Sequence, residues 1–175
     1  MLIETQRLII REYRADDLES VHRYASNPEV TTHTLWGPNT LEETQAHIDA
    51  MLEMQQQEPR TGYEFAATLK ESGEMIGGVG IHKNGYNGEV GYCFHPDYWG
   101  KGYASESAAA MLELGFRQLG LHRIYATCRP GNKGSERVMQ KLGMQKEGHL
   151  REHLLSNKGG FVDSYLYSIL IGDYQ

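Results

Sequence analysis

Apolar and polar positions alternate through QRLIIREY (6–13), a β-rich run that predicts a strand. From 15 to 26 the period lengthens. Leu18, Val21, Tyr24 and Ala25 fall on one helical face, Asp16 or Asp17 can cap it, and Asn27-Pro28 ends it. A second helical pattern covers 40–57, with apolar groups at 41, 48, 51, 52 and 54. It opens on Thr40 with Glu43 three residues later, a capping-box spacing, and Pro59 closes it. Alternation returns in 63–70, 75–82 and 88–95. The turn sequences ESG and NGYNG separate these runs and predict an antiparallel meander. A helix is predicted over 102–119, ending at Gly120, then a strand over 122–128. A loop and helix follow over 130–143, with Gly143 as C-cap, and then two strands over 144–155 and 161–171 joined by SNKGG.

The order β-α-α-β-β-β-α-β-α-β-β predicts an α/β (α+β) fold, a single central mixed sheet flanked by helices. The step from 88–95 through 102–119 to 122–128 has the length of a parallel crossover. With 175 residues and no linker, repeat or low-complexity tract, 1–175 reads as one domain.

Composition narrows the function. A net charge of −6 argues against a nucleic-acid partner, whose phosphates call for a basic face. No apolar stretch has the length of a membrane span, and the N-terminal stretch lacks a secretory signal, so the expected location is cytoplasmic. Cys93 and Cys128 sit in strand-like runs and read as buried free thiols of a reducing compartment. The eight histidines form no metal-ligand spacing, so no metal is expected.

The chemistry gathers at HPDYWGKGYASESAAAML (95–112), where Gly100 and Gly102 flank Lys101 at the mouth of a helix. Helix N-termini carry unpaired N–H groups and a positive dipole end, and glycines let an anion approach closely. A pyrophosphate suits such a place. A Walker loop is excluded by spacing, and a dinucleotide fingerprint by position after the fourth strand.

EVGYCFHPDYWGKGYASESAAAML, followed by YATCRPGNKGSERVMQKLGMQKEG, resembles the GNAT superfamily of N-acetyltransferases, most nearly the RimJ/RimL-like subgroup with its spermidine acetyltransferase relatives. The likeness extends from TQRLIIREYRADD to FVDSYLYSILI. It implies acetyl-CoA as co-substrate, with a pyrophosphate loop on Trp99, Gly100, Lys101, Gly102, Tyr103 and Ala104, continuing to Ser105. Trp99 stands where the wider family has Gln or Arg. The resemblance further implies that Tyr92, Cys93 and Phe94 offer backbone groups to the pantetheine arm, and that Asn132 contacts the coenzyme.

The same resemblance frames the catalytic candidates. Relatives carry a tyrosine general acid where this chain has Met139, and Ser135, one helical turn earlier, is the substitute. Glu89 lies where some relatives place a basic carboxylate. Backbone N–H groups near Cys93 and Phe94 can polarise the thioester carbonyl. His33 and Trp36, in the loop VTTHTLWG, are candidates for the acceptor pocket, and His149 and His153 stand in a region that can line it. Lys101, Arg137 and Lys141 are candidates for the phosphates. The expected acceptor is a protein N-terminal α-amine, with a polyamine or other small amine, or a non-catalytic acetyl-CoA sensor, as alternatives. A homodimer is left open.

Overall fold

A computed structural model describes residues 1–174. Eight strands form one sheet in the order β1-β2-β3-β4-β5-β6-β8-β7. They are β1 (Leu2–Glu4), β2 (Leu8–Glu12), β3 (Gly62–Leu69), β4 (Met75–Asn84), β5 (Asn87–Phe94), β6 (Arg123–Cys128), β7 (Gln145–Leu155) and β8 (Phe161–Leu170). Among the described residues only β5 and β6 run parallel, through the expected crossover. The helices are α1 (Leu18–Ala25), α2 (Leu41–Met54), α3 (Tyr103–Glu113) and α4 (Lys133–Lys141).

Apolar clusters pack on both faces of the sheet. Phe65, Val79, Ile81, Val90 and Phe94 pack with Met111 and Leu112 of α3 and Met139 of α4. On the other face Ala66 and Met75 pack with Val21, Tyr24 and Ala25 of α1 and Ile48 and Met51 of α2. The expected elements appear with small shifts of boundary. The addition is β1, three residues paired with β2 and too short to show a period. The third helix also loosens, from Leu114 to Gln118, into a wider π-type turn before Gly120.

Thr40 and Glu43 make the expected reciprocal cap of α2, at 3.2 and 2.8 Å. Two details differ from expectation. Leu41 is exposed at the helix start, and Thr44 takes the buried place with Ile48 and Met51. Asp17 does not cap α1 through its side chain. It already lies in the first helical turn, three residues after the extended Arg14, so its carboxylate reaches back to accept the Arg14 N–H at 2.8 Å and the Arg11 guanidinium at 2.7 and 2.8 Å.

Candidate active site

The Gly-Lys-Gly turn bares backbone amides. Gly100 and Gly102 have φ of +71° and +87°, the left-handed region that glycine enters freely. The first bond of α3 runs from the Glu106 N–H to the Gly102 carbonyl at 3.0 Å. The amides of Tyr103, Ala104 and Ser105 therefore have no partner in the helix ladder. Arg7 braces the turn. Its guanidinium donates to the Lys101 carbonyl at 2.9 Å and to Glu106 at 2.7 Å, and it stacks on the Tyr103 ring. Burial pushes the Glu106 carboxyl up, but hydrogen bonds from Thr5 and Arg7 hold it below the usual range. Arg7 was not singled out from sequence, since nothing marks a strand-start arginine as a brace.

Beside this turn the sheet opens. β5 and β6 pair only from Asn87↔Arg123 to Glu89↔Tyr125, while β5 continues to Phe94. The His95 N–H bonds to the Ile76 carbonyl. Strand alternation then turns the backbone groups of Cys93 and Gly91 toward β4, and those of Tyr92 and Phe94 toward the opening. Cys93 is thus the exception among the three residues expected to offer backbone groups. The Phe94 carbonyl is closed by the Trp99 indole N–H at 2.7 Å, leaving the Phe94 N–H on the open side.

A cavity of about 740 Å³ begins at this opening. Gly100, Gly102, Tyr103, Ala104 and Ser105 line one end, and Asn132, Ser135 and Val138 of the α4 region line another. Asn132 caps α4 by accepting the Ser135 N–H at 3.1 Å. Lys133, Arg137 and Lys141, at four-residue spacing, give the cavity a basic stripe. The Tyr92 hydroxyl reaches across to the Ser135 Oγ at 2.8 Å and donates to the Ser135 carbonyl at 3.1 Å. Met139, where the resemblance places a tyrosine acid in relatives, is fully buried in the core. Free amides, basic side chains and a split sheet suit the phosphates and extended arm of acetyl-CoA.

A second cavity, of about 460 Å³, lies on the α1–α2 face. Tyr13, Tyr24, Trp36, His47 and Met51 wall it, and Glu64 is the carboxylate it contains. Thr34, Tyr92 and Cys93 line both cavities, so the two meet at β5. Burial pushes the Cys93 thiol up to about 12, which keeps it protonated near neutral pH and unsuited to carry an acetyl group itself.

The expected residues divide between these places. Trp36 lines the second cavity, whereas His33 lines the first, with its ring against Gly131. Lys101 turns its ammonium over the Tyr98 ring and lines neither cavity. Glu89 is exposed, accepts a 3.4 Å hydrogen bond from the Tyr125 hydroxyl, and also lines neither. His149 pairs with Asp163 and His153 with Ser164, again away from both. Both cysteines are free. Among the described residues no His, Cys, Asp and Glu group is placed to hold a metal ion, and no helix is long and apolar enough to cross a membrane.

Sequence comparison agrees with this geometry. The profile described as "Acetyltransferase (GNAT) domain" matches residues 7–145. The chain belongs to the GNAT acetyltransferase family and is an N-acetyltransferase that uses acetyl-CoA as co-substrate. It is similar to the uncharacterized N-acetyltransferase YnaD of Bacillus subtilis, 36% identical over 97% of each chain. A crystal structure of a GNAT-family acetyltransferase from Bacillus anthracis superposes with a TM-score of 0.86, at 36% identity, over 98% of this chain and 99% of that one. RimL, the ribosomal L7/L12 alpha-N-protein acetyltransferase solved with coenzyme A, shares the fold at a TM-score of 0.84 and 18% identity, over 97% and 98% of the two chains.

Proposed function

We propose that the protein moves the acetyl group of acetyl-CoA directly onto the α-amine of a protein N-terminus. The observation that carries this reading is the meeting of the two cavities at Tyr92, Cys93 and Thr34. One is built for phosphates and an extended arm; the other is aromatic, with a single carboxylate. A polyamine brings several charges and calls for several carboxylates, whereas a terminal amine brings one. The α-amine also titrates near 7.7–8.0, well below a lysine near 10.4, so far more of it is neutral at pH 7. The name of RimL, which shares the fold, points to the same class of acceptor.

In the transfer the amine nitrogen bonds to the thioester carbon and the C–S bond breaks. The Phe94 N–H, on the open side of β5, is assigned to polarise the thioester oxygen. Ser135, hydrogen-bonded to Tyr92, is assigned to protonate the departing sulfur. That thiol is a good leaving group, with a pKa near 8.5 as in cysteine, so the help required is modest. Direct transfer fits the protonated Cys93. The free cysteines suit a reducing compartment, and the cytoplasm is the proposed place of work.

The test is a mass-spectrometric assay with acetyl-CoA, a panel of unblocked peptides, and spermidine. Acetylation at peptide α-amines with little on spermidine is expected. Preferential turnover of spermidine would reassign the acceptor.

A further inference from the structure

The sheet face beneath the second cavity has an unusual floor. Glu64, Gly80 and Gly91 stand opposite one another across β3, β4 and β5, and Ala66, Gly78 and Cys93 form the next row on the same face. The glycines are not turns here. A Cβ on Gly80 would collide with the Glu64 carboxyl, and a Cβ on Gly78 with the Tyr13 hydroxyl. They are seats for two polar heads laid flat on the sheet. Above Gly91 a Cβ would meet nothing within 4 Å, so the floor there is open.

The polar heads match a cation. Glu64 presents its carboxylate with its side chain 25% exposed. Burial raises the Tyr13 and Tyr24 phenols, so both stay neutral and can offer oxygen lone pairs. Aromatic walls from Tyr13, Tyr24 and Trp36 favour an ammonium over an anion. Behind Glu64 stands an exit for a proton. His82, next along the same face, holds its Nε2 2.6 Å from the Glu64 Oε1, and its side chain is 50% exposed. The Glu64 carboxylate, accepting a hydrogen bond from the His82 ring, raises the His82 pKa above its ordinary value. The other titratable groups facing the pair are His47 from α2, whose pKa burial lowers, and Glu89 and Cys93 from β5.

We infer that Glu64 receives the acceptor's ammonium and takes its proton, and that His82 passes this proton to solvent. This assignment rests on the second cavity being the acceptor site of the proposed transfer. The balance is simple. The ammonium gives one proton to the Glu64 carboxylate, which hands it to the bare Nε2 of His82 in its Nδ1–H tautomer, and His82 releases its Nδ1 proton to water. The freed lone pair forms the new C–N bond. The remaining surplus N–H proton replaces the one that Ser135 gives to the sulfur. Glu64 is the catalytic residue, and His82 is a positioning residue that acts through it.

Two measurements test this. The first is the pH profile of kcat/KM for an unblocked peptide with wild type and Glu64→Gln. The variant must wait for amine that is already neutral. Its kcat/KM is expected to fall by about 5- to 10-fold at pH 7, the inverse of the neutral fraction of an amine titrating near 7.7–8.0, and to approach wild type near pH 9. His82→Gln should show a smaller loss with the same recovery. A Glu64→Gln profile that overlays wild type would overturn the assignment. The second needs no turnover. Binding of the peptide to CoA-saturated protein is expected to weaken at least about tenfold in Glu64→Gln, as a lost charge-assisted hydrogen bond implies. Equal binding by both proteins would overturn it. Should neither peptide nor spermidine be acetylated by wild type, the proposed transfer fails, while the binding measurement still judges Glu64. Retained CoA affinity and a cooperative melt in Glu64→Gln separate either result from misfolding.

Discussion

The two cavities that meet at β5 are made of different materials. The coenzyme cavity is shaped mostly by backbone: amides at the start of α3, the opening between β5 and β6, and the capped start of α4. The second cavity, proposed for the acceptor, is walled by side chains from Tyr13 after β2, from β3, α1, α2 and the 30–37 loop, over a floor of β4 and β5. Backbone presents the same groups whatever side chains change around it, so the first cavity is suited to one constant guest. Side-chain walls can be altered one at a time, so under the proposed reading the second is where acceptor choice is set.

The contrast is broken most sharply at Gly102. Gly102→Val forces a β-branched residue into a φ of +87° at the mouth of α3. CoA affinity should fall by about 10- to 100-fold, read by calorimetry. On the other side of the sheet, Gly91→Leu fills open floor without backbone strain. Peptide KM should rise by about tenfold or more while CoA affinity stays at the wild-type value. If CoA affinity falls as much as peptide affinity, the two cavities are not separable.

Ser135→Ala tests the border between them. The Asn132 cap uses the Ser135 backbone N–H, so the helix start survives. A fall of about tenfold in kcat, with little change in either KM, is expected for an acid that aids a good leaving group. The smallest effect is expected from Arg7→Gln, which removes the brace on the Lys101 carbonyl and should weaken CoA binding about threefold. This variant also carries a pH signature. Glu106 is depressed below its ordinary 4.5 by the Thr5 and Arg7 hydrogen bonds. Its contribution to stability is therefore present above pH 4.5 and lost as pH falls through the depressed value. Wild type should lose more of its thermal stability across that acid window than Arg7→Gln does.

The difference in material also decides what the sequence reveals. A backbone cradle needs glycines at special φ and a capped helix, and those are written locally in WGKGYAS and RPGNKGS. The crossover and the meander were legible for the same reason. Even the register of β4 on β5 follows from the two-residue turn at Gly85-Tyr86, which sets Asn84 opposite Asn87 and so Gly80 opposite Gly91. The second cavity has no such local mark. Glu64 is one more polar residue in an alternating strand until β3 lies against β4, and their shared register shifts between Ala67 and Thr68. His33 and Trp36 are three residues apart, yet the turn of the loop sends them to different cavities. Glu89 occupies a strand position suggested by resemblance, but its face and row place it beside Tyr125.

The measurement that bears most directly on the two-cavity arrangement is a calorimetric titration of CoA, followed by an unblocked peptide, into wild type, Gly102→Val and Gly91→Leu. Wild type should bind both. Gly102→Val should lose CoA, and Gly91→Leu should bind CoA normally and lose the peptide. Absence of CoA binding by wild type, or loss of CoA binding in Gly91→Leu, would show that the cavities do not hold these two partners.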